Sequence, residues 1–169
     1  MLERIRFLTA GESHGKGLLG IIEGLPSNIK ISETYVKQHL SRRQKGHGRG
    51  GRMKIEDDFA EFIGGVRYGE TLGGPIGLQI KNKDWENWKD VMNHNIPEKP
   101  SKPITMLRPG HADLAGLQKF GMNDIRNILE RSSARETTMR VALGSFCRKM
   151  LEAIGIEIGS RVVQIHNIK

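Results

Sequence analysis

Apolar and polar positions alternate at the start of the chain, where Ile5, Phe7 and Thr9 fall on one face, and a second short apolar run, Leu18 to Ile22, is bounded by glycines. The pattern predicts two strands joined by a glycine-rich turn. The period then changes. Val36 and Leu40 stand one helical turn apart behind Ser32, a residue type whose hydroxyl accepts from first-turn amides, and Ile31 and Val36 are placed to close a hydrophobic staple across it. A helix is expected from Ser32 to Arg42 or Arg43. From Arg42 to Lys54, Gly46, Gly48, Gly50 and Gly51 exclude a regular element. Between Phe59 and Ile80 apolar residues are broken by Gly64, Gly65, Gly69, Gly73, Gly74, Pro75 and Gly77, which predicts two strands and a tight turn. Lys81 to Pro103, with both tryptophans and three of the six prolines, reads as an irregular, mobile surface loop. Helical spacing returns weakly after Ala112. It is strong from Glu136 to Ile154, where Met139, Leu143, Phe146, Met150 and Ile154 fall at offsets of 0, 4, 7, 11 and 15. Gly155 sits where a C-terminal cap belongs, and Ile156 to Ile165 reads as strands. No 20–50-residue repeat is present.

Mixed strands and helices in this order predict an α+β fold of sandwiched layers. At 169 residues the chain has the length of one domain, 1–169, and can bury roughly two thirds of its unfolded surface, so a core forms without staples. Cys147 is the one cysteine, which excludes an intrachain disulfide and a Cys-rich metal site; no metal is expected, and a reducing, cytoplasmic setting follows. No apolar run approaches the ~18 residues of a membrane span, and Met-Leu-Glu-Arg-Ile-Arg at the start lacks the apolar stretch of a signal peptide. The charge changes the picture more. With 27 Lys and Arg against 19 Asp and Glu, a net +8, the expected ligand is anionic: nucleic acid, lipid headgroups, or a small molecule bearing phosphates and carboxylates.

Four segments carry candidate chemistry. Gly11-Glu12-Ser13-His14-Gly15 spells a nucleophile elbow by letter, but a strand on each side, rather than a helix behind, argues against Ser13 as a hydrolase nucleophile. It is also one residue short of a phosphate-binding loop. What remains is a histidine on a glycine-flanked turn, free to reach a ligand and to move a proton; the bland alternative is a turn histidine with no role. Arg108-Pro109-Gly110-His111-Ala112-Asp113 offers a second histidine on a turn beside an arginine. Arg42, Arg43, Lys45, Arg49, Arg52 and Lys54 form a dense cation source suited to phosphate and carboxylate, and no aromatic residue is interleaved for base stacking, which weakens a nucleic-acid reading. Arg131-Ser132-Ser133-Ala134-Arg135-Glu136-Thr137 precedes the best helix, with Ser132 or Ser133 as its cap; amides, dipole, arginines and hydroxyls make either an anion seat or a plain capped helix start.

Taken together and in order, Gly11 to Gly15, the R-R-x-x-G-x-G-R-G-G-R-M stretch from Arg42 to Met53, Arg108 to Asp113, and Arg131 to Thr137 resemble the motifs of the chorismate synthase family. The likeness covers essentially the whole chain and corresponds to the N-terminal half of the family's length. It implies a layered β-α-β sandwich, incomplete here. It also implies conversion of 5-enolpyruvylshikimate 3-phosphate to chorismate and phosphate by 1,4-anti elimination, with reduced FMN and with NADPH as its reductant. By the same resemblance His14 and His111 are the acid/base pair, Ser13, Arg43, Arg49, Arg52, Arg108 and Arg135 hold the substrate, Arg131, Ser132 and Ser133 touch FMN, and Arg43 and Arg49 match NADPH positions. A cytoplasmic homotetramer acting on a phosphorylated diacid is the implied assembly. The alternatives are a catalytically incomplete fragment of that enzyme, or a basic RNA-binding module.

Overall fold

A computed structural model describes residues 4–45 and 57–168. Arg49, Arg52 and most of the glycine-rich basic stretch therefore lie outside the described residues. The first alternating run becomes β1 (Arg6–Gly11) and the glycine-bounded run β2 (Gly17–Glu23), paired antiparallel with Phe7 opposite Ile22 and Gly11 opposite Leu18. β3 (Ser27–Lys30) follows. Helix α1 (Glu33–Gln44) starts as its sequence dictates: the Ser32 hydroxyl accepts from the Tyr35 amide at 3.2 Å, and Val36 and Leu40 are fully buried. The helix runs to Gln44, one or two residues past the expected end at Arg42 or Arg43, so both arginines sit in its last turn.

Phe59 to Ile80 forms four strands, not two: β4 (Glu61–Gly64), β5 (Val66–Arg67), β6 (Glu70–Leu72) and β7 (Ile76–Lys81). They divide between two antiparallel sheets, ordered β1-β2-β7-β4 and β3-β6-β5. Closely spaced glycines let the chain turn more often than one hairpin requires. The segment 81–103, expected to be an irregular loop, contains α2 (Trp85–Met92). Helices α3 (Asp113–Phe120), α4 (Arg126–Leu129) and α5 (Glu136–Glu152) complete the order. Neither Ser132 nor Ser133 caps α5 with its side chain: Arg135 is the capping residue, and the Ser133 carbonyl accepts from the Glu136 amide at 3.0 Å. Gly155 does occupy the left-handed C-terminal position, with the Ile156 amide reaching the Leu151 carbonyl at 2.9 Å. Residues 156–165 are not strands. Their apolar alternation finds no neighbouring strand among the described residues beyond one bridge, Ile165 to Ile168.

The core lies between one face of the larger sheet and helices α1 and α5. Leu18, Ile22, Ile76, Leu78 and Ile80 meet Val36, Leu40, Met139, Leu143 and Phe146, all nearly or fully buried. Each such side chain contributes about 1.5–3 kcal/mol relative to exposure. Close approach of α5 to β2 needs Gly20, where a Cβ would lie 2.5 Å from the Met139 sulfur. The other face of the sheet carries Leu8, Leu19, Ile21 and Ile63, at least half exposed. The architecture is α+β, as expected, and no helix among the described residues is long and apolar enough to cross a membrane.

Candidate active site

Strand β1 leaves the sheet through Gly11 at φ +99°, where a Cβ would sit 2.3 Å from the Gly17 carbonyl, so a side chain here would break the β1–β2 turn. The turn thus formed is tied to the residue that follows α4. The Ser13 amide donates to the Glu130 carbonyl at 2.9 Å, the His14 amide to Glu130 Oε2 at 2.9 Å, and His14 Nδ1 lies 2.7 Å from the same oxygen. Glu130 is buried, its side chain 1% exposed, while His14 keeps 23% of its side chain open. Trp88 covers one face of the His14 ring at a centroid distance of 3.8 Å. Asp84 Oδ2 accepts from Trp88 Nε1 at 2.9 Å, and Asn82 Nδ2 donates to the Gly15 carbonyl at 2.9 Å, so the start of the 81–103 segment is docked on the histidine turn. Ser13 itself is buried in that turn.

The second histidine is built differently and has the same logic. Asp113, at the first turn of α3, has a fully buried carboxylate that accepts from the Arg108 amide at 2.9 Å and from Arg108 Nε at 3.1 Å. His111 Nδ1 stands 2.5 Å from its other oxygen. Hydrogen bonds from the Arg108 guanidinium hold the Asp113 carboxyl far below the usual carboxylate range, against the opposing effect of burial, and Asp113 in turn raises Arg108. An ionised carboxylate only accepts, which favours a proton on Nδ1, while Arg108 Nη2 lies along the ring edge, 2.9 Å from Nδ1 and 3.2 Å from Nε2.

The arginines are tied down in two places: Arg131 beside β1, and Arg43 and Arg135 between α1 and α5, where Arg43 lines a cavity with Arg42 and Arg148, apart from the histidine turns. Arg131 Nη2 donates to the Thr9 carbonyl and hydroxyl oxygens, each at 2.8 Å, and the Thr9 hydroxyl donates to Glu136 at 2.7 Å. Although burial pushes the Glu136 carboxyl up, hydrogen bonds from Arg140 and Thr9 hold it below its ordinary value. Arg43 donates to Thr137 Oγ1 at 3.1 Å and to the Ala134 carbonyl at 2.9 Å. Arg135 Nη1 pairs with buried Asp58 at 3.1 Å, and Arg43 Nη1 approaches the same carboxylate at 3.8 Å. A cavity of about 410 Å³ is walled by Glu12, Ala112, Ala115, Gly116, Ile128, Arg131 and Ser132 among others. It joins three of the four motifs: the residue two before His14, the residue after His111, and the Arg131–Ser132 pair. Ser133 is turned elsewhere, its hydroxyl accepting from the Arg135 amide at 3.3 Å.

The chain has counterparts among known proteins. Residues 5–169 match the family described as chorismate synthase. The chain belongs to the chorismate synthase family. The chorismate synthase of Aquifex aeolicus is 59% identical over 165 residues, which is 97% of this chain and 42% of that protein. That of a Sulfurihydrogenibium species is 58% identical over 161 residues, 95% of this chain and 41% of the relative. A crystal structure of chorismate synthase superposes with a TM-score of 0.69 at 44% identity, over 93% of this chain and 36% of that one. The chain thus spans about 42% of the length of the chorismate synthase relatives it matches. Three residues of the site carry no role in the motif reading: Glu130, Trp88 and Asp58. Glu130 stands directly before Arg131-Ser132-Ser133, and that adjacency was its one sequence signal.

Proposed function

We propose that this chain carries the proton-transfer and anion-binding groups of a chorismate synthase, acting on 5-enolpyruvylshikimate 3-phosphate to give chorismate and phosphate. One observation carries the reading: in a member of that family, two histidines on separate turns are each backed by a buried carboxylate, and their turns contribute Glu12 and Ala112 to one cavity that also holds Arg131. His14 and His111 serve as the acid/base pair. With Nδ1 committed to Glu130 or Asp113, each ring exchanges protons through Nε2. Arg108 neutralises charge on the departing phosphate, and Arg43, Arg135 and Ser13 orient the anionic substrate, together with Arg49 and Arg52 from outside the described residues. Fixed guanidinium groups replace the water stripped from a phosphate and two carboxylates, without reorganisation as the carbon–oxygen bond breaks.

The fit to a flavin rests on the cavity. Its small apolar wall, Ala112, Ala115 and Gly116, suits a planar ring, Arg131 and Ser132 suit a phosphate, and about 410 Å³ falls within the usual range of cofactor pockets. Arg131 and Ser132 would hold reduced FMN, with Ser133 supporting them through the backbone of the following turn. When bound, the reduced flavin supplies transient electron density to the breaking bond. NADPH is the proposed reductant, with Arg43 and Arg49 as its contacts, and a cytoplasmic homotetramer is the proposed assembly.

The test is anaerobic turnover with photoreduced FMN, following chorismate and phosphate release, beside His14→Ala and His111→Ala variants. Turnover that falls about 10²–10⁴-fold in either variant supports the assignment. Undiminished turnover in both variants would remove the histidines from the chemistry. No turnover from a folded chain favours the second reading, suggested by its 42% share of its relatives' length: these groups form one wall of the site, and the rest of the family's length supplies the other.

A further inference from the structure

The His14 turn contains a residue that the motif reading leaves without a task. The Glu130 side chain reaches into the turn and holds the histidine twice through a single oxygen: Oε2 accepts from the His14 amide at 2.9 Å and lies 2.7 Å from His14 Nδ1. Its backbone carbonyl takes the Ser13 amide as well. A carboxylate that is 1% exposed has few alternatives to these partners, so the contact is costly to break. The ring's face is covered independently by Trp88, itself anchored by Asp84. Edge and face are therefore fixed by two segments far apart in the chain.

We infer that Glu130 is the positioning residue of His14, holding the imidazole in the Nδ1–H tautomer with Trp88 limiting its rotation, so that Nε2 is the nitrogen presented for proton transfer. The inference deepens the functional reading above, since presentation matters only if His14 moves a proton. It parallels the Asp113–His111 pair, where a carboxylate of different origin, at a helix start rather than after a helix end, makes the same contact to Nδ1. A carboxylate thus meets Nδ1 in both histidines by unrelated constructions, with Arg108 Nη2 also 2.9 Å from Nδ1 of His111. Glu130 also acts electrostatically on Arg108, helping to hold that guanidinium charged, so the buried acid links the two histidine turns.

The test reads the tautomer directly, on the whole chain labelled with ¹⁵N-histidine, by ring-nitrogen chemical shifts and two-bond couplings above the imidazole titration range. The wild-type His14 ring is expected in the Nδ1–H form by about tenfold or more over the alternative. In Glu130→Met, similar in volume and without an acceptor, the ratio should collapse or invert while His111, still held by Asp113, keeps its pattern as an internal reference. Glu130→Gln, which retains one acceptor oxygen, should fall between. A wild-type His14 in the Nε2–H form overturns the inference before any variant is made, and so does a Glu130→Met protein that keeps the Nδ1–H form. Should Glu130→Met not fold, the wild-type and Glu130→Gln spectra decide. A correct tautomer response together with turnover indifferent to His14→Ala would leave the positioning intact and sink the catalytic reading instead.

Discussion

Asp113 shows how much of the site's behaviour resides in one buried carboxylate. It has no exposed side-chain surface, yet it satisfies the amide and guanidinium of Arg108 and the ring of His111. The Arg108 hydrogen bonds hold it ionised to much lower pH than a free aspartate, whose pKa is about 3.9. A carboxyl depressed in the folded state contributes stability that is fully present above the unfolded pKa and is lost as pH falls through the folded one. Folding stability measured by urea unfolding should therefore decline between about pH 5 and pH 2, and the decline should be shallower in Asp113→Asn. Equal slopes in the two proteins would mean that other acids dominate the response. Asp113 stood inside a recognisable motif, but the motif points to its arginine and histidine. Only the burial of the first turn of α3 reveals that the aspartate organises both.

Elements were legible where local pattern and tertiary partner agree. β1, β2, α1 and α5 carry the correct period, a cap or a glycine at the right place, and a face that another element covers, so their boundaries were predicted within a few residues. Two segments went the other way for opposite reasons. Trp85, Trp88, Val91 and Met92 do share one helical face, but the stripe spans only two turns, precedes three prolines and buries none of its residues, so the sequence reads as loop; the helix is held by Asn82, Asp84 and the Trp88–His14 contact. Residues 156–165 have the alternation of a strand but no strand beside them, and alternation without a ladder is not a sheet. Glu130 and Asp58 were invisible because a buried acid has no period. Gly20 is the position at which the element-scale account is most exposed to test. A Cβ there would lie 2.5 and 2.7 Å from the Met139 Sδ and Cγ atoms and 3.1 Å from Leu143, so Gly20→Ala must displace Met139 or lift α5 from β2. A loss of about 1–3 kcal/mol in chemical denaturation is expected. A smaller loss in Gly20→Ala combined with Met139→Ala than the sum of the two single variants would place the clash where the packing puts it.

At the scale of the whole molecule, a chain with a net charge of +8 has to bring arginines together without letting them repel one another apart. Asp58 is the device that does so between α1 and α5. It stands just before β4, yet it accepts an ion pair from Arg135 at the start of α5 at 3.1 Å, approaches Arg43 near the end of α1 at 3.8 Å, and accepts from Gln44 at 3.2 Å. Three stretches of chain are thereby fixed through one carboxylate whose side chain is 2% exposed. Removing one member of such a buried pair costs about 3–5 kcal/mol. Asp58→Asn should show that loss in urea unfolding at neutral pH, with an unchanged denaturant slope if the fold is otherwise kept. The variant also separates structure from ligand recognition. An anion that binds the folded chain stabilises it by mass action, and two guanidinium groups relieved of their internal counter-charge bind one more tightly. Inorganic phosphate should therefore restore more stability to Asp58→Asn than it adds to the wild type. An equal increment in both proteins would mean that Arg43 and Arg135 are not reached by anions from solvent, and that their part in the site is to hold α1 and α5 together rather than to hold the substrate.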